Sequence, residues 1–394
     1  MPNRAPRRTF LSLGGRTALG LSLLPLVACS RQSRGTSTLE GGLPPALIAG
    51  LEAQIPELLA ASRVPGLSIA IISNARVAWS RGFGVKHSAS KAPVETTTLF
   101  EAGSLSKTVF AYAVMKLCEK GILDLDSPLT TYVSERWIEG DPRLNQITAR
   151  QVLSHTSGFQ NWRSTEEPLR IHFVPGTQWQ YSGEGYSYLQ LVVAHLTGLV
   201  NARSCERMFD GLNVCATDID GYLATNLLRP FGMPSSGYVW NDAFADGTAA
   251  PHDGKGQPTT RPRATPILAA RYGAAGGLST TPTEYARFLI EVIDPKPSDA
   301  FRLTLASRDE MIRPQVKVDD SSSWALGWRI LHWKSGNVIT HGGENPGFQA
   351  FVLASVDRTS GYVIMTNGDN GAEVIGKLVN GDTPLNAVVT DGVE

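Results

Sequence analysis

The sequence has no excess charge of either sign, and this excludes one large class of partners. Its 394 residues hold 36 lysines and arginines against 36 aspartates and glutamates, so there is no net field to attract a nucleic-acid backbone. Charged residues make up only 18% of the chain and hydrophobic residues 42%, a balance typical of a large packed core rather than of a disordered protein. We therefore expect a globular protein that does not bind nucleic acid.

Acidic residues are absent from the first 28 positions, which carry four arginines. An apolar run from Ala18 to Ala28 follows this basic start and is too short to span a bilayer. Elsewhere the sequence has no apolar run long enough to do so. We interpret residues 1–28 as an export signal, and Arg7 to Leu11 resembles a twin-arginine signal.

Cysteines are few, four in all, and the first of them ends this signal. Leu26 to Cys29 resembles the lipobox after which bacterial lipoproteins are cut and lipidated on the new N-terminal cysteine. We expect an exported, periplasmic protein whose membrane contact is a lipid on Cys29. Ser30 follows the cysteine, and the resemblance to sorted bacterial lipoproteins implies the outer membrane rather than the inner one. Residues 29–45 would be a flexible tether. The alternative is an ordinary signal-peptidase site beside an unmodified Cys29.

The other cysteines have different expected roles. Cys205 and Cys215 lie ten residues apart in a polar stretch and would be free to form a disulfide in an oxidising periplasm; the alternative is two free thiols. Cys118 lies on the apolar face of a predicted helix and is interpreted as a small buried hydrophobic residue.

The hydrophobic pattern predicts an α/β (α+β) domain over residues 46–380. Strands at both ends of this range imply one antiparallel sheet assembled from both termini and flanked by helices. The α/β lobe would comprise about 46–127 and 275–380, with an inserted, mostly helical lobe at about 128–274. Residues 381–394 would be a C-terminal tail.

The predicted elements follow from periodicity and turn residues. The helices are expected at Ala46–Ala61, from Ser104 to the stop at Gly121, and at Gly185–Thr197, Gly221–Leu228 and Thr283–Ile293. The strands are expected at Gly66–Ile72 and Val77–Phe83, joined by a turn at Asn74-Ala75, and at Ala325–Trp333, Val338–His341, Gln349–Val356 and Tyr362–Thr366.

A candidate nucleophile lies in the pattern Ser-x-x-Lys, which occurs twice. On a helix this spacing brings a hydroxyl and an amine together, so that the amine can take a proton as the hydroxyl attacks an acyl carbon. Ser88 to Lys91 lies in a polar, turn-like stretch, whereas Ser104 to Lys107 opens a predicted helix. Ser104 is the better candidate, and its alternative role is an N-cap serine.

From this motif onward, the sequence resembles the penicillin-recognising serine hydrolases, in particular the branch with class C β-lactamases, DD-peptidases and β-lactamase-like esterases. The resemblance covers about Leu47 to Asn367. Seven stretches match in order: Ser104-Leu105-Ser106-Lys107, Leu153-Ser154-His155-Thr156-Ser157-Gly158, Pro175-Gly176-Thr177-x-Trp179, Tyr181-Ser182-Gly183, Ala275-Gly276-Gly277-Leu278-Ser279-Thr280, His341-Gly342-Gly343 and Asn345-Pro346-Gly347-Phe348. The resemblance implies a β-lactamase/transpeptidase-like fold.

The resemblance implies a role for each of three residues. Ser104 would be the acylated nucleophile, and Lys107 and Tyr181 would share the proton relay that activates it. Which of the two is the base stays open. To accept a proton near neutral pH, Lys107 needs a pKa lowered by burial or by nearby positive charge. The alternative for Tyr181 is an amphipathic core residue.

The third motif would complete the site. The resemblance implies that the backbone N–H groups of Glu344 and Ser104 form an oxyanion hole. His341 is expected to end a strand and line the site, with Gly342 and Gly343 letting the backbone pass close to the substrate. The alternative for His341 is a strand-end histidine bonded to backbone, and we interpret His155 as structural.

Gly183 departs from the family, which usually has asparagine there. In lactam-cleaving members that asparagine bonds the side-chain amide of the acyl group, whereas glycine offers only backbone. We therefore expect a serine hydrolase acting on a small ester or amide, with a β-lactamase or DD-peptidase as an alternative. A second alternative is a catalytically idle, lipid-anchored binding or sensor protein. The remaining histidines show no ligand spacing, so we expect neither metal nor cofactor.

Overall fold

The computed structural model describes residues 38–39, 42–380 and 384–390. The predicted export signal and Cys29 lie outside the described residues.

Thirteen strands occur in the described part of the chain. They are β1 (Thr38–Leu39), β2 (Gly66–Ser73), β3 (Arg76–Gly84), β4 (Phe100–Glu101), β5 (Val200–Arg207), β6 (Asn213–Thr217), β7 (Ser279–Thr280), β8 (Val316–Asp319), β9 (Ser322–Trp324), β10 (Arg329–Trp333), β11 (Gly336–Asn345), β12 (Phe348–Ser355) and β13 (Ser360–Thr366).

Eleven α-helices occur in the same residues. They are α1 (Pro45–Ser62), α2 (Ser106–Glu119), α3 (Ala149–Leu153), α4 (Gly183–Leu196), α5 (Ile219–Leu223), α6 (Ala243–Gly247), α7 (Pro266–Gly276), α8 (Pro282–Ile293), α9 (Leu305–Ile312), α10 (Gly371–Asn380) and α11 (Ala387–Thr390).

One antiparallel sheet organises the domain. Within the described residues it has nine strands in the order β1-β3-β2-β13-β12-β11-β10-β9-β8. Strand β2 pairs with β13, with Ala70 opposite Val363, so the N-terminal and C-terminal parts of the chain meet in the middle of the sheet. The prediction of a sheet assembled from both termini is confirmed.

The β2–β3 hairpin forms where the sequence predicts it. Asn74 and Ala75 both have positive φ, +52° and +54°, as required by the tight hairpin turn whose twist matches that of its strands. Both faces of β2 are covered, because alternate residues point to opposite sides of a strand. Ile69 and Ile71 enter one hydrophobic cluster and Ala70 and Ile72 enter the other.

Two helical layers bury these two faces. Helices α1, α10 and α11 pack on the face that carries Ile69 and Ile71, through residues such as Leu51, Leu378 and Val389. Helices α2 and α8 pack on the opposite face, which carries Ala70 and Ile72, through Phe110 and Phe288. Since α2 is buried along most of its length, residues at its start are held by core packing.

Three predicted elements differ from the structure. Only the part Arg329–Trp333 of the run Ala325–Trp333 is a strand, β10, because the chain turns between β9 and β10 at Gly327, with φ +88°. Strand β11 continues to Asn345, so His341 lies inside a strand rather than at its end. The segment Gly221–Leu228 is α5 continued by a π-helical turn, Ala224–Leu228.

Two regions are more ordered than the sequence predicts. Thr38–Leu39, within the expected tether, pairs with β3. Residues 384–390, within the expected tail, pack on the sheet because Leu385, Val388 and Val389 are buried. The inserted region also contains a hairpin, β5–β6, beside its helices.

None of the helices described is both long and apolar enough to cross a membrane.

The hairpin β5–β6 carries a disulfide. Cys205 lies opposite Cys215 and the two are bonded, while Cys118 is free and half-buried. Val214 and Ala216 of β6 pack against Ile267 of α7, so the disulfide holds a hairpin that contacts the helix next to the candidate site.

We predict that the double substitution Cys205→Ser, Cys215→Ser lowers the free energy of unfolding by roughly 2 to 3 kcal/mol, because the short closed loop restricts the unfolded chain. Denaturant unfolding measures this, with Cys118→Ala as the control. An unchanged free energy of unfolding, or free thiols at both positions in non-reducing peptide mapping, would contradict the prediction.

Candidate active site

Ser104 lies in a tight turn immediately before α2. The turn, Gly103–Leu105, is a 3-10 turn, and Gly103 has φ +51°. No side-chain capping bond forms at the start of this turn or of α2, so Ser104 is not an N-cap serine. Its side chain is partly exposed, unlike those of Leu105 and Ser106. The hydroxyl is therefore presented to solvent from a rigid, buried support.

Lys107 lies one turn further on and is fully buried. Its Nζ is 3.1 Å from Ser104 Oγ and 2.6 Å from the carbonyl oxygen of Ala275, to which it donates. It also lies 4.9 Å from the ring centre of Tyr181 and 5.5 Å from that of Tyr186. No carboxylate pairs with it among the described ion pairs. Burial lowers the pKa of Lys107 to about 7, because the charged form loses its hydration.

Tyr181 approaches Ser104 from a different segment. Burial raises the pKa of Tyr181, and an interaction of its hydroxyl with the Ser104 side chain opposes the rise. The phenol therefore stays protonated at neutral pH and can donate. Ser104, Lys107 and Tyr181 thus form one connected group. The other Ser-x-x-Lys, Ser88 to Lys91, forms a solvent-facing turn away from a helix.

His155 holds the Tyr181 segment in place. It is fully buried in a left-handed conformation, φ +58°. Its carbonyl accepts from the N–H of Gln180 at 2.8 Å, and its Nδ1 accepts from the N–H of Ser182 at 3.1 Å. Burial, followed by the charges of Lys107 and His341, holds the pKa of His155 well below its usual value. The ring is therefore neutral, as an accepting nitrogen requires.

Strand β11 brings the third motif to the site. His341 and Gly343 are buried whereas Gly342 and Glu344 are exposed, as expected for the alternating faces of a strand. His341 Nδ1 donates to the Gly342 carbonyl at 2.6 Å. Burial and the charge of Lys107 lower the pKa of His341 to about 3, so its Nε2 is an acceptor, with no partner among the described residues.

The backbone of β11 lies against the turn that carries Ser104. A Cβ added to Gly103 would lie 2.5 Å from the backbone nitrogen of Glu344, and one added to Gly343 would lie 2.0 Å from the carbonyl oxygen of Ala102. Only glycine allows backbones to come this close. The backbone nitrogen of Glu344 is thereby placed beside Gly103, the residue before Ser104, and its use as an oxyanion donor stays a prediction.

Gly183, the third residue of the Tyr-Ser-Gly motif, starts α4. Its N–H donates to the Oδ1 of Asn161 at 2.8 Å. A Cβ at this position would lie 2.4 Å from the Trp162 ring, so the indole covers the glycine.

Several contacts of the site have no signature in the sequence. They are made by the Ala275 carbonyl, by Trp162, and by Trp324, whose ring lies 5.7 Å from that of Tyr181 and 5.5 Å from that of His341. The motif Ala275 to Thr280 indicates that this segment belongs to the site, but it does not predict that the Ala275 carbonyl accepts from Lys107. The described residues contain no cluster of three or more His, Cys, Asp or Glu side chains that could hold a metal ion.

This fold and group of residues define a serine hydrolase family. Residues 51–378 match the family described as Beta-lactamase, and the chain belongs to that family. Its members are serine hydrolases that attack with a serine hydroxyl.

Individual relatives are distant. Protein flp of Staphylococcus aureus (strain MRSA252) is 21% identical over 339 residues, 80% of this chain and 62% of that protein, so the chain spans about three-fifths of its length. Among solved structures, the D-alanine carboxypeptidase AmpC of Burkholderia cenocepacia is 18% identical with a TM-score of 0.67, covering 85% of this chain and 99% of that one. A class C β-lactamase is 19% identical with a TM-score of 0.68, covering 85% and 96%. These structures share the fold.

We predict that Gly343→Ala lowers the rate of acylation at Ser104 about 100- to 1000-fold, the usual cost of losing an oxyanion donor, because the new methyl group forces β11 away from Ala102. Single-turnover kinetics with an activated ester measure this rate. Gly376→Ala, in α10 and outside the site, is the control, since a Cβ there meets nothing within 4 Å. Equal rates in the two variants would contradict the prediction.

Proposed function

We propose that this protein is an exported serine hydrolase that cleaves a small carboxylic ester through an acyl-enzyme on Ser104. The observation that supports this best is the buried Lys107, which lies 3.1 Å from Ser104 Oγ with a pKa of about 7. An amine with that pKa is neutral in half of the molecules at pH 7 and can accept a proton.

In the first half-reaction, Ser104 Oγ attacks the ester carbonyl carbon as its proton passes to Lys107 Nζ. The carbonyl oxygen becomes an oxyanion, held by the N–H groups of Ser104 and Glu344. When the C–O bond breaks, the Lys107 ammonium returns the proton to the departing alcohol through the Tyr181 hydroxyl. The products are a free alcohol and an ester on Ser104.

In the second half-reaction, water attacks the acyl carbon and gives its proton to Lys107. The same proton then returns to Ser104 Oγ as the acyl–serine bond breaks, and the carboxylic acid leaves. Lys107 is the base in both steps, since burial raises the pKa of Tyr181 and makes the phenol a donor rather than an acceptor.

An ester is favoured over a lactam or peptide because position 183 offers no side-chain amide. The N–H of Gly183 is already used by Asn161, so the backbone there does not replace the missing group. A lactam- or peptide-cleaving activity is the second candidate. It is supported by the fold, which is shared with a class C β-lactamase and a D-alanine carboxypeptidase, and turnover of a chromogenic cephalosporin would favour it.

We predict that incubation with a fluorophosphonate or an activated ester adds one covalent adduct to the wild-type protein and none to Ser104→Ala. Intact-protein mass spectrometry detects the adduct, and peptide mapping locates it. Ser88→Ala is the matched control, because it removes the serine of the other Ser-x-x-Lys pattern, and it should be labelled like the wild type.

An unlabelled wild-type protein would contradict the proposal. If, in addition, no ester were turned over while a cell-wall fragment raised the melting temperature, a binding or sensor role would replace it.

We also propose that the protein acts in the periplasm, attached to the outer membrane by a lipid on Cys29. The lipobox-like sequence Leu26 to Cys29 supports this, together with the disulfide Cys205–Cys215, since disulfides persist in oxidising compartments.

We predict that labelled palmitate is incorporated into the wild-type protein expressed in a Gram-negative host, and that Cys29→Ala abolishes this labelling. Cys118→Ala should leave the labelling unchanged. Wild-type protein without label would show that Cys29 is an ordinary residue at a cleavage site.

A further inference from the structure

Asn345 ends β11 and directly follows Glu344, whose backbone nitrogen lies beside Gly103. It belongs to the last of the seven matching stretches, and the proposed reaction gives it no role. Its half-buried side chain donates from Nδ2 to Glu101 Oε2 at 2.6 Å and to the Gly276 carbonyl at 3.2 Å. Because both neighbours are acceptors, the amide nitrogen rather than the amide oxygen faces them, and both of its N–H groups are used.

Glu101 belongs to the segment that leads into the nucleophile. It lies three residues before Ser104, and its strand, β4, pairs with β7. Ala102 donates its N–H to the carbonyl of Leu278 at 2.8 Å, which also bonds this segment to the chain around β7. Through the Glu101 side chain, the same segment is bonded to β11. The position of Ser104 relative to β11 therefore depends on this carboxylate.

Gly276 connects Asn345 to the residue that holds the lysine. It follows Ala275 at the end of α7, and the Ala275 carbonyl accepts from Lys107 Nζ at 2.6 Å. A Cβ added to Gly276 would lie 3.7 Å from Asn345 Oδ1 and 3.9 Å from the carbonyl carbon of Gly103. The end of β11, the end of α7 and the turn before α2 thus meet at one point, and a single amide side chain bonds them together.

A cation next to Glu101 adds a second link. Arg261 Nη1 lies 2.9 Å from Glu101 Oε2, and it donates to the carbonyl of Pro346, the residue after Asn345, at 3.3 Å. Burial raises the pKa of Glu101, and the charge of Arg261 and the Asn345 bond oppose that rise, because each favours the ionised form. The Glu101 and Arg261 side chains are 26% and 29% exposed, so water screens their ion pair. We therefore assign the main link to Asn345.

We propose that Asn345 is a positioning residue for the acylation of Ser104. By donating to Glu101 and Gly276, it holds β11 so that the N–H of Glu344 can receive the oxyanion. This inference rests on the proposed esterase function. A donor displaced by about 1 Å can lower a rate about 100-fold although no contact with the substrate is removed. Asn345 therefore acts through the strand that it ends.

The test is Asn345→Asp, which keeps the shape of the side chain but removes both N–H donors and places a second carboxylate beside Glu101. Single-turnover kinetics with p-nitrophenyl acetate give the acylation rate at saturation and the half-saturating concentration. The final extent of fluorophosphonate labelling gives the fraction of folded sites. We expect the acylation rate to fall about 100-fold, with the other two quantities nearly unchanged.

Further variants show which contact carries the effect. Asn345→Ala removes the donors without adding charge, and Glu101→Ala removes the closer acceptor. The double variant should be little slower than Asn345→Ala alone, because both changes remove the same bond. Glu101→Gln keeps an acceptor oxygen and should restore much of the rate lost in Glu101→Ala. Asn337→Asp is the matched control, since it makes the same substitution at an exposed position of β11, and it should be acylated like the wild type.

Three results would overturn the inference: an Asn345→Asp variant that is acylated at the wild-type rate, a loss confined to the fraction of sites labelled, or a higher half-saturating concentration at an unchanged rate. The second would show a role in folding alone, and the third a role in binding the ester. Failure of the proposed function is distinct, because the wild-type protein would then release p-nitrophenol no faster than Ser104→Ala does.

Discussion

The site depends on one buried lysine amine that has no carboxylate paired with it in the described part of the chain. Removing an ammonium group from water is unfavourable unless it is paired, and the group responds by losing its proton more easily. Lys107 has a neutral carbonyl, that of Ala275, and the rings of Tyr181 and Tyr186 around it. The packing of helix α2 in the core buries this amine fully, and burial is what lowers its pKa.

The close approach of β11 to the turn that carries Ser104 depends on the same packing. Because Gly103 and Gly343 have no side chains, β11 can lie against the turn before α2, with the backbone nitrogen of Glu344 beside Gly103. His155 then fixes the Tyr181 segment through two hydrogen bonds. Burial first, and then the charge of Lys107, lowers the pKa of His155 and of His341, so both rings stay neutral and serve as hydrogen-bonding groups.

Much of this arrangement follows from local patterns in the sequence. Alternating apolar residues and the Asn74-Ala75 turn predict the β2–β3 hairpin, and helical spacing after Ser104 predicts α2. Trp162 could not be found in this way, because its contact with Gly183 joins a loop to the start of α4 and follows no periodic pattern in the sequence. The hairpin β5–β6 was missed for a related reason: β5 is exposed along nearly its whole length, so it lacks the alternation of a half-buried strand.

The pH dependence of kcat/KM for a neutral ester tests the central claim most directly. A base must be neutral to accept a proton, and the fraction of neutral Lys107 rises with pH, so we expect kcat/KM to rise through an apparent pKa of about 7 and then level off. His155 and His341 titrate well below this range and should not contribute to the rise. A kcat/KM that is constant from pH 5 to 9, or that rises only near the ordinary lysine pKa of about 10.4, would contradict the account.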